Sequence, residues 1–220
     1  MTERTGIVHL ENGPLVTVRG QAQLEGPPDL ATLTLTLHAS GDSAERARSQ
    51  LAEGSSAVSQ LLQRFEAAIE RSSTSGLHVS PIFNRRAPAK ITGYQGTFTT
   101  QIVVADLDSL SPLVLALTEL RNSQIDGPWW SLRPDNPMFR EVRLAAIADA
   151  RHRADDYAAA FGTTVANLLE ISDLDSGFAG AREMRAFAMA KGADDVAFEF
   201  EPTTQTVSGQ VTVRFRLKPI

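Results

Sequence analysis

The sequence predicts an α+β fold in which antiparallel or mixed β-sheets, built from hairpins, are covered by one long helix and two or more shorter ones. Strict alternation of apolar and polar residues marks strands at 15–24, 31–39 and 205–217. A long helical periodicity starts directly after the second strand, at residue 42. Hairpin-like strands followed by amphipathic helices are typical of this fold class.

Length and turn signals set the expected domain boundaries. The 220 residues, of which 42% are hydrophobic, can bury a sizeable core. A polar arm is expected at 1–14, because it ends in an Asn-Gly-Pro turn signal. A single domain is expected at 15–218, with an excursion at 173–204 that is rich in Gly, Ala and Asp and has a modest helical pattern.

The first two strands are expected to pair with each other. Valines alternate with polar residues in the first, and leucines alternate with threonines in the second, where His38 falls on the polar face. The connection between them is short and contains two prolines. A short connection favours an antiparallel hairpin.

The first helix is expected to be the longest. Asp42 followed by Glu45 is a capping-box-like start. Apolar residues then recur at three- and four-residue spacing as far as Ile69, which predicts roughly thirty residues, or about 45 Å of helix. A Ser/Thr-rich stretch ending at Gly76 is expected to close it.

A second hairpin is expected from strands at 77–83 and 91–104. Its tip carries Arg85, Arg86 and Lys90, which are candidate contacts for an anionic partner or a neighbouring subunit. The alternative is a solvated tip that keeps a strand edge from aggregating.

A fifth strand at 124–132 contains two adjacent tryptophans, which must point to opposite faces. Strand alternation groups Ile125 with Trp129, and it places Trp130 on the other face. One tryptophan is expected in the core, and the other under a helix or in an interface, where Trp is enriched. The alternative is that both are covered within one subunit.

Two further helices and two strands complete the prediction. Asp106 or Asp108 caps a short helix, and an Asn-Pro step at residue 137 opens a third one, which ends at Gly162. The apolar residues assigned to this third helix include Leu144, Ile147, Ala154, Tyr157, Ala158 and Phe161. A short strand at 167–172 precedes the excursion.

Composition excludes several classes of site. There is no cysteine, so disulfides, thiolate metal sites and cysteine nucleophiles are absent. The net charge of −5 argues against a broad nucleic-acid surface. No segment has the roughly 18 apolar residues of a membrane span, and the first residues lack a signal-peptide run, so we expect a cytoplasmic protein.

No motif predicts catalysis, a cofactor or a metal. The four histidines lie on different predicted elements without ligand spacing. The segment starting at Asp173 resembles a calcium loop, but it has Phe178 where Gly is needed and Met184 where Glu is needed. We therefore expect no catalytic, cofactor or metal residues.

Several segments, in this order, resemble the SIMPL-domain family, which includes YggE-like proteins and periplasmic immunogenic proteins. They are VTVRGQAQLEGPPDLATLTLTL, ITGYQGTFTTQIVVADLDSL, the Ile-Asp-Gly turn at 125–127, REVRLAAIADARHRADDYAAAFG and EPTTQTVSGQVTVRFRL. The resemblance implies an α+β fold, homo-oligomers that are ring-like or larger, and loosely described roles in stress tolerance or the envelope. It implies no catalytic residue.

Two functions are predicted. The first is a non-enzymatic homo-oligomer that acts through protein-protein association, with an unknown protein partner and a stress-related role implied by the resemblance. The second is a binding protein for a small apolar or aromatic ligand, with Trp129, Trp130, Tyr94 and Phe98 as candidate contacts.

Overall fold

The computed structural model of the chain describes residues 13–84, 90–173 and 198–219. Its elements confirm the α+β class with antiparallel sheets. The strands are Leu15–Gly26 (β1), Leu30–Gly41 (β2), Ile69–Phe83 (β3), Ile91–Val104 (β4), Ser123–Ser131 (β5), Val165–Asp173 (β6) and Gln205–Leu217 (β7). The helices are Ala44–Arg64 (α1), Leu110–Thr118 (α2) and Met138–Ala160 (α3), with a 3₁₀ turn at Leu107–Ser109.

The elements divide into two compact units. The first holds β1, α3, β6 and β7, and its sheet has the strand order β1-β7-β6. The second holds α1, α2 and the sheet β3-β4-β2-β5, together with residues 198–204. Every strand pair in both sheets is antiparallel.

The predicted pairing of the first two strands is wrong. β1 pairs with β7 along its whole length, whereas β2 lies between β4 and β5 in the other sheet. The inward side chains explain the separation, because β1 presents small ones such as Gly20 and Ala22, whereas β2 presents Leu33, Leu35 and Leu37. Each set fits a different helix layer.

In the first unit, α3 packs on the sheet through a row of alanines. Its buried residues are Val142, Ala146, Ala150, Ala154 and Ala158, spaced four apart. A Cβ atom on Gly20 would lie 2.0 Å from the Ala146 carbonyl oxygen, so the helix backbone sits almost directly on β1. Of the apolar residues assigned to this helix from the sequence, Ala154 and Ala158 are buried, whereas the larger ones are exposed: Leu144, Ile147, Tyr157 and Phe161.

The second unit has the larger core. Its core includes Leu33, Leu35 and Leu37 of β2 and Ile102 and Val104 of β4, which are buried under α1 and α2 and are each less than 4% exposed. Thr36 and His38 lie on the opposite face of the sheet, as their alternation predicts.

Helix α1 is shorter than predicted, at 21 residues. Its N-cap is Ser43, whose hydroxyl accepts from the Arg46 N–H at 3.2 Å, while Asp42 forms an exposed ion pair with Arg46. The chain turns after Arg64 because Ile69 and the Ser/Thr-rich residues after it pair with β4. A strand partner here overrides the helical periodicity.

The predicted second hairpin is confirmed, since β3 pairs with β4 across both strands. Other expectations lie outside the described residues: the arm as far as residue 12, Arg85 and Arg86 at the tip, and the excursion between 174 and 197.

Candidate functional site

The two tryptophans point to opposite faces of the four-stranded sheet, as expected. Trp130 is paired with Ala31 and packs against the core, whereas Trp129 is paired with Thr32 and is 50% exposed. The predicted grouping of Ile125 with Trp129 is wrong, because Ile125 packs against the core. A bulge around Gly127 inserts an extra residue between them and reverses the alternation.

The other two candidate aromatics do not join Trp129. Phe98 is paired with Leu37 and packs against the same core as Trp130. Tyr94 lies four residues earlier in β4 and is paired with Gly41 at the far end of β2. The four aromatic side chains are therefore divided between two faces, with Trp129 apart from the rest.

The outer face of this sheet brings together two histidines that are distant in sequence. His38 of β2 and His78 of β3 are both paired with Thr97 of β4, so they flank it in one row. They line a depression of about 630 Å³ together with Gln95 and Gln124. Among the described residues, no three His, Cys, Asp or Glu side chains are grouped so that they could hold a metal ion.

Of the three tip cations, only Lys90 is described. It is exposed, and its carbonyl accepts from the Asn84 N–H at 2.9 Å, which closes the end of the β3–β4 hairpin.

An exposed apolar surface lies in the first unit, between α3 and β6. Eight of the nine β6 residues are exposed, although Leu168 and Ile171 are paired with Phe215 and Val213 and so face the same side as α3. We call this the β6 surface: a groove of about 370 Å³ lined by Ile147, Arg151, Asp155, Val165, Ala166, Leu168, Ile171, Val213 and Phe215.

The geometry of α3 explains why this groove is open. The helix packs over β1 and β7 through its alanine row and leaves β6 at the side. On the outer face of β6, Glu170 pairs with Arg214 at 3.4 Å. The inner apolar side chains have no covering element among the described residues, apart from the flank of α3 that carries Ile147.

A second open feature lies in the second unit, between α1 and the edge strand β3. Residues 70–75 of β3 are all exposed. We call the space beside them the β3 groove, which has a volume of about 800 Å³. Its apolar part is formed by Val58, Leu62, Ile69 and Phe98.

The sequence predicts neither the β6 surface nor the β3 groove, although it contains a pattern that points to each of them. Helix α3 carries two apolar sets, one of alanines and one of larger residues, which is more than a single buried face needs. β3 begins with the polar, Ser/Thr-rich stretch in which the predicted first helix ends. No helix in the described ranges has the length and apolar character needed to cross a membrane.

Comparison with known proteins places the whole fold in one family. The profile of the SIMPL family, described as a protein of unknown function (DUF541), matches residues 16–215. The uncharacterized protein YggE of Edwardsiella ictaluri is 26% identical over 209 residues, which is 93% of this chain and 87% of that protein. YggE of Escherichia coli K12 is 23% identical over 215 residues, covering 96% and 86%.

A third relative is named for its compartment. The 26 kDa periplasmic immunogenic protein of Brucella melitensis is 25% identical over 167 residues, which is 72% of this chain and 66% of that protein. The word periplasmic describes that protein, and the cytoplasmic placement of this chain stays a prediction. Because the family profile spans nearly the entire chain, the protein belongs to the SIMPL family.

Proposed function

We propose that this protein works by associating with further copies of itself, and not by catalysis, and that the β6 surface is buried in the assembly. The observation that supports the proposal is that three exposed large apolar side chains, Ile147, Leu168 and Ile171, line one groove. Among the described residues, seven of the fourteen exposed large hydrophobics are on α3, at its end or on β6. Contiguous apolar patches of this kind mark interaction sites, whereas scattered ones are ordinary.

The edge of β6 adds a second reason. An edge strand presents unpaired backbone N–H and C=O groups, and proteins protect such edges with charge, proline, bulges or a covering element. β6 has irregular register at two places, but it carries Leu168, Leu169 and Ile171, each more than 40% exposed. A neighbouring strand would satisfy its backbone and cover these side chains together.

Self-association requires free energy from both apolar burial and strand pairing. Fully burying a Leu or Ile side chain yields about 1.5–3 kcal/mol, so covering the half-exposed ones yields roughly half of that each. Association costs an estimated 4–15 kcal/mol in lost freedom. Apolar burial by these side chains alone is therefore too small, and strand pairing must supply the rest.

The test is the mass of the protein in solution with and without a charge in the β6 surface. We expect the wild type to sediment as a multiple of the monomer at micromolar concentration. Ile171→Asp should be a monomer there, with association weakened at least about 100-fold, because an unpaired carboxylate is costly to bury.

Leu115→Asp is the matched control. Leu115 is 42% exposed on α2 in the other unit, so the same chemical change there should leave the assembly intact. A wild type that is a monodisperse monomer across micromolar concentrations in sedimentation velocity would refute the proposal.

A further inference from the structure

We infer that His38 and His78 together bind one divalent transition-metal ion, with copper(II) held most tightly, on the outer face of the four-stranded sheet. No metal-ligand spacing is visible in the sequence, because the two histidines belong to different strands that are distant along the chain. The site lies in the second unit and does not depend on the proposed self-association through the β6 surface.

The strand register brings the two histidines to either side of one residue. His38 of β2 and His78 of β3 are both paired with Thr97 of β4, so the three side chains form one row across the sheet. Neighbouring strands lie about 4.8 Å apart, which places the two histidine Cα atoms roughly 10 Å from each other. Two imidazole rings that lean towards each other, each with a metal–nitrogen bond of about 2.0–2.1 Å, span this distance.

The surroundings of the row leave the point between the rings accessible. Both histidines are exposed, and Thr97 between them is partly buried and has a short side chain. The row lines a depression of about 630 Å³. An ion above Thr97 is therefore within reach of a ring nitrogen from each side.

The lining of the depression determines which kind of ion fits. Apart from the two imidazoles, none of its described lining residues has an ionisable side chain. Calcium and magnesium require oxygen ligands, usually with carboxylates among them, whereas imidazole suits copper, nickel and zinc. Of these three ions, copper(II) is bound most tightly by a given set of nitrogen ligands.

Neutral oxygen atoms complete the coordination. Gln95, Asn122 and Gln124 line the same depression, and each has a side-chain carbonyl oxygen. Water takes the positions that remain. The protein thus supplies two strong ligands, which is one fewer than a catalytic zinc site has, and the bound ion is expected to exchange with solvent.

Isothermal titration of the full, tag-free chain with copper(II) tests the site. We expect one ion per chain. His38→Thr and His78→Thr should each raise the Kd at least about tenfold, since even changes to the outer-shell partners of a metal cost about 10–100-fold. Threonine already alternates along this face of β2, so the variants keep a residue that suits a strand. The double variant should bind little more weakly than either single one, because one imidazole alone is a weak site.

His152→Ala is the matched control. His152 is exposed on α3 in the other unit, where it forms an ion pair with Asp156 at 3.6 Å. This variant should keep the affinity of the wild type. Wild-type affinity in His38→Thr or in the double variant would refute the site, as would a wild type that binds no copper.

Thr97→Phe tests whether the two rings share one ion. The added aromatic ring occupies the space between the histidines and leaves both of them in place, so the Kd should rise at least about tenfold. Thr99→Phe is the control, because Thr99 lies on the same face of β4 but is paired with Thr36, one row away. Equal affinity of Thr97→Phe and the wild type would show that the histidines do not share an ion, and would overturn the inference.

Electron paramagnetic resonance of the copper-loaded protein counts the ligands without relying on affinity. Pulsed spectra should show two imidazole nitrogens bound to copper in the wild type and one in either single histidine variant. A wild-type spectrum with one imidazole or none would overturn the inference. Excess calcium or magnesium should not displace the copper, and displacement would indicate a carboxylate site elsewhere, which would also contradict it.

Metal binding and self-association are tested by separate measurements. Copper titration of Ile171→Asp should give the wild-type affinity, because the substitution lies in the other unit. A monomeric wild type that binds copper through both histidines would remove the proposed function and preserve the metal site. An oligomeric wild type whose copper binding is unaffected by His38→Thr would do the reverse.

Discussion

At the scale of single residues, two glycines determine how closely α3 approaches its sheet. A Cβ atom on Gly20 would lie 2.0 Å from the carbonyl oxygen of Ala146 and 2.6 Å from the backbone nitrogen of Ala150. One on Gly209 would lie 3.0 Å from the carbonyl oxygen of Val142. Because these neighbours are helix backbone, they cannot rotate away as a flexible side chain could.

Gly20→Ala should therefore destabilise the protein by about 1–3 kcal/mol, the usual cost of inserting a methyl group into a packed contact. Gly76→Ala is the control, because no heavy atom lies within 4 Å of the added Cβ. Its free energy of unfolding should stay within about 0.5 kcal/mol of the wild type. Urea unfolding of both variants measures the difference, and equal effects would contradict the close contact.

The tryptophan pair shows what residue-level reasoning can and cannot supply. Adjacent strand residues must face opposite sides, which predicted correctly that Trp129 and Trp130 separate. The bulge at Gly127 was not predicted, so the face of Ile125 relative to Trp129 was wrong. A bulge depends on the partner strand, since Gly127 and its neighbour lie opposite a single residue of β2, and this cannot be read from the strand alone.

At the scale of elements, the start of α1 shows which of two neighbouring residues caps the helix. Asp42 fits the capping pattern in the sequence, but the N-cap hydrogen bond to the Arg46 N–H comes from Ser43. Both residue types are good caps, and the choice between neighbours depends on where the preceding strand ends. β2 continues to Gly41, which leaves Ser43 in the extended conformation of a cap.

Ser43→Ala should lower the free energy of unfolding by about 1 kcal/mol through the loss of this cap. Asp42→Ala removes only an exposed ion pair at 3.6 Å and should cost at most a few tenths of a kcal/mol. Chemical denaturation of the two variants in parallel distinguishes them. A larger loss for Asp42→Ala would mean that Asp42 is the effective cap.

Helix α3 illustrates a limit of periodicity at this scale. The sequence indicates the helix and its ends clearly, and it begins and ends close to the predicted residues. Its predicted apolar residues divide between two faces, because Ala154 and Ala158 are buried whereas Leu144, Ile147 and Tyr157 are exposed. The deciding factor is the sheet, whose Gly20 and Gly209 admit only a helix face of small residues.

At the scale of the whole molecule, the number and kind of elements follow from the sequence, but their division between two sheets does not. Short connections favour pairing of neighbours, and this succeeded for β3 with β4 and failed for β1 with β2. The partner of β1 is β7, nearly the whole chain away. Long-range pairing of this kind is set by which faces fit together, which a single sequence does not display.

Self-association should make the thermal stability of the wild type depend on its concentration. Assembly stabilises the folded state by mass action, so the midpoint of unfolding should rise by a few degrees for each tenfold increase in protein concentration. The midpoint of Ile171→Asp should not change over the same range. Differential scanning fluorimetry across three concentrations measures this, and a wild-type midpoint independent of concentration would contradict assembly.

The alanine row of α3 determines where apolar side chains of the first unit are exposed. A helix seated directly on Gly20 and Gly209 leaves no room for a larger side chain at those two points of the sheet. Leu144, Ile147 and Tyr157 of α3 are exposed, and Ile147 lies beside strand β6, which no other described element covers. Close packing on one side of the helix thus leaves apolar side chains exposed on its flank, at the surface that we propose copies of the protein bury between them.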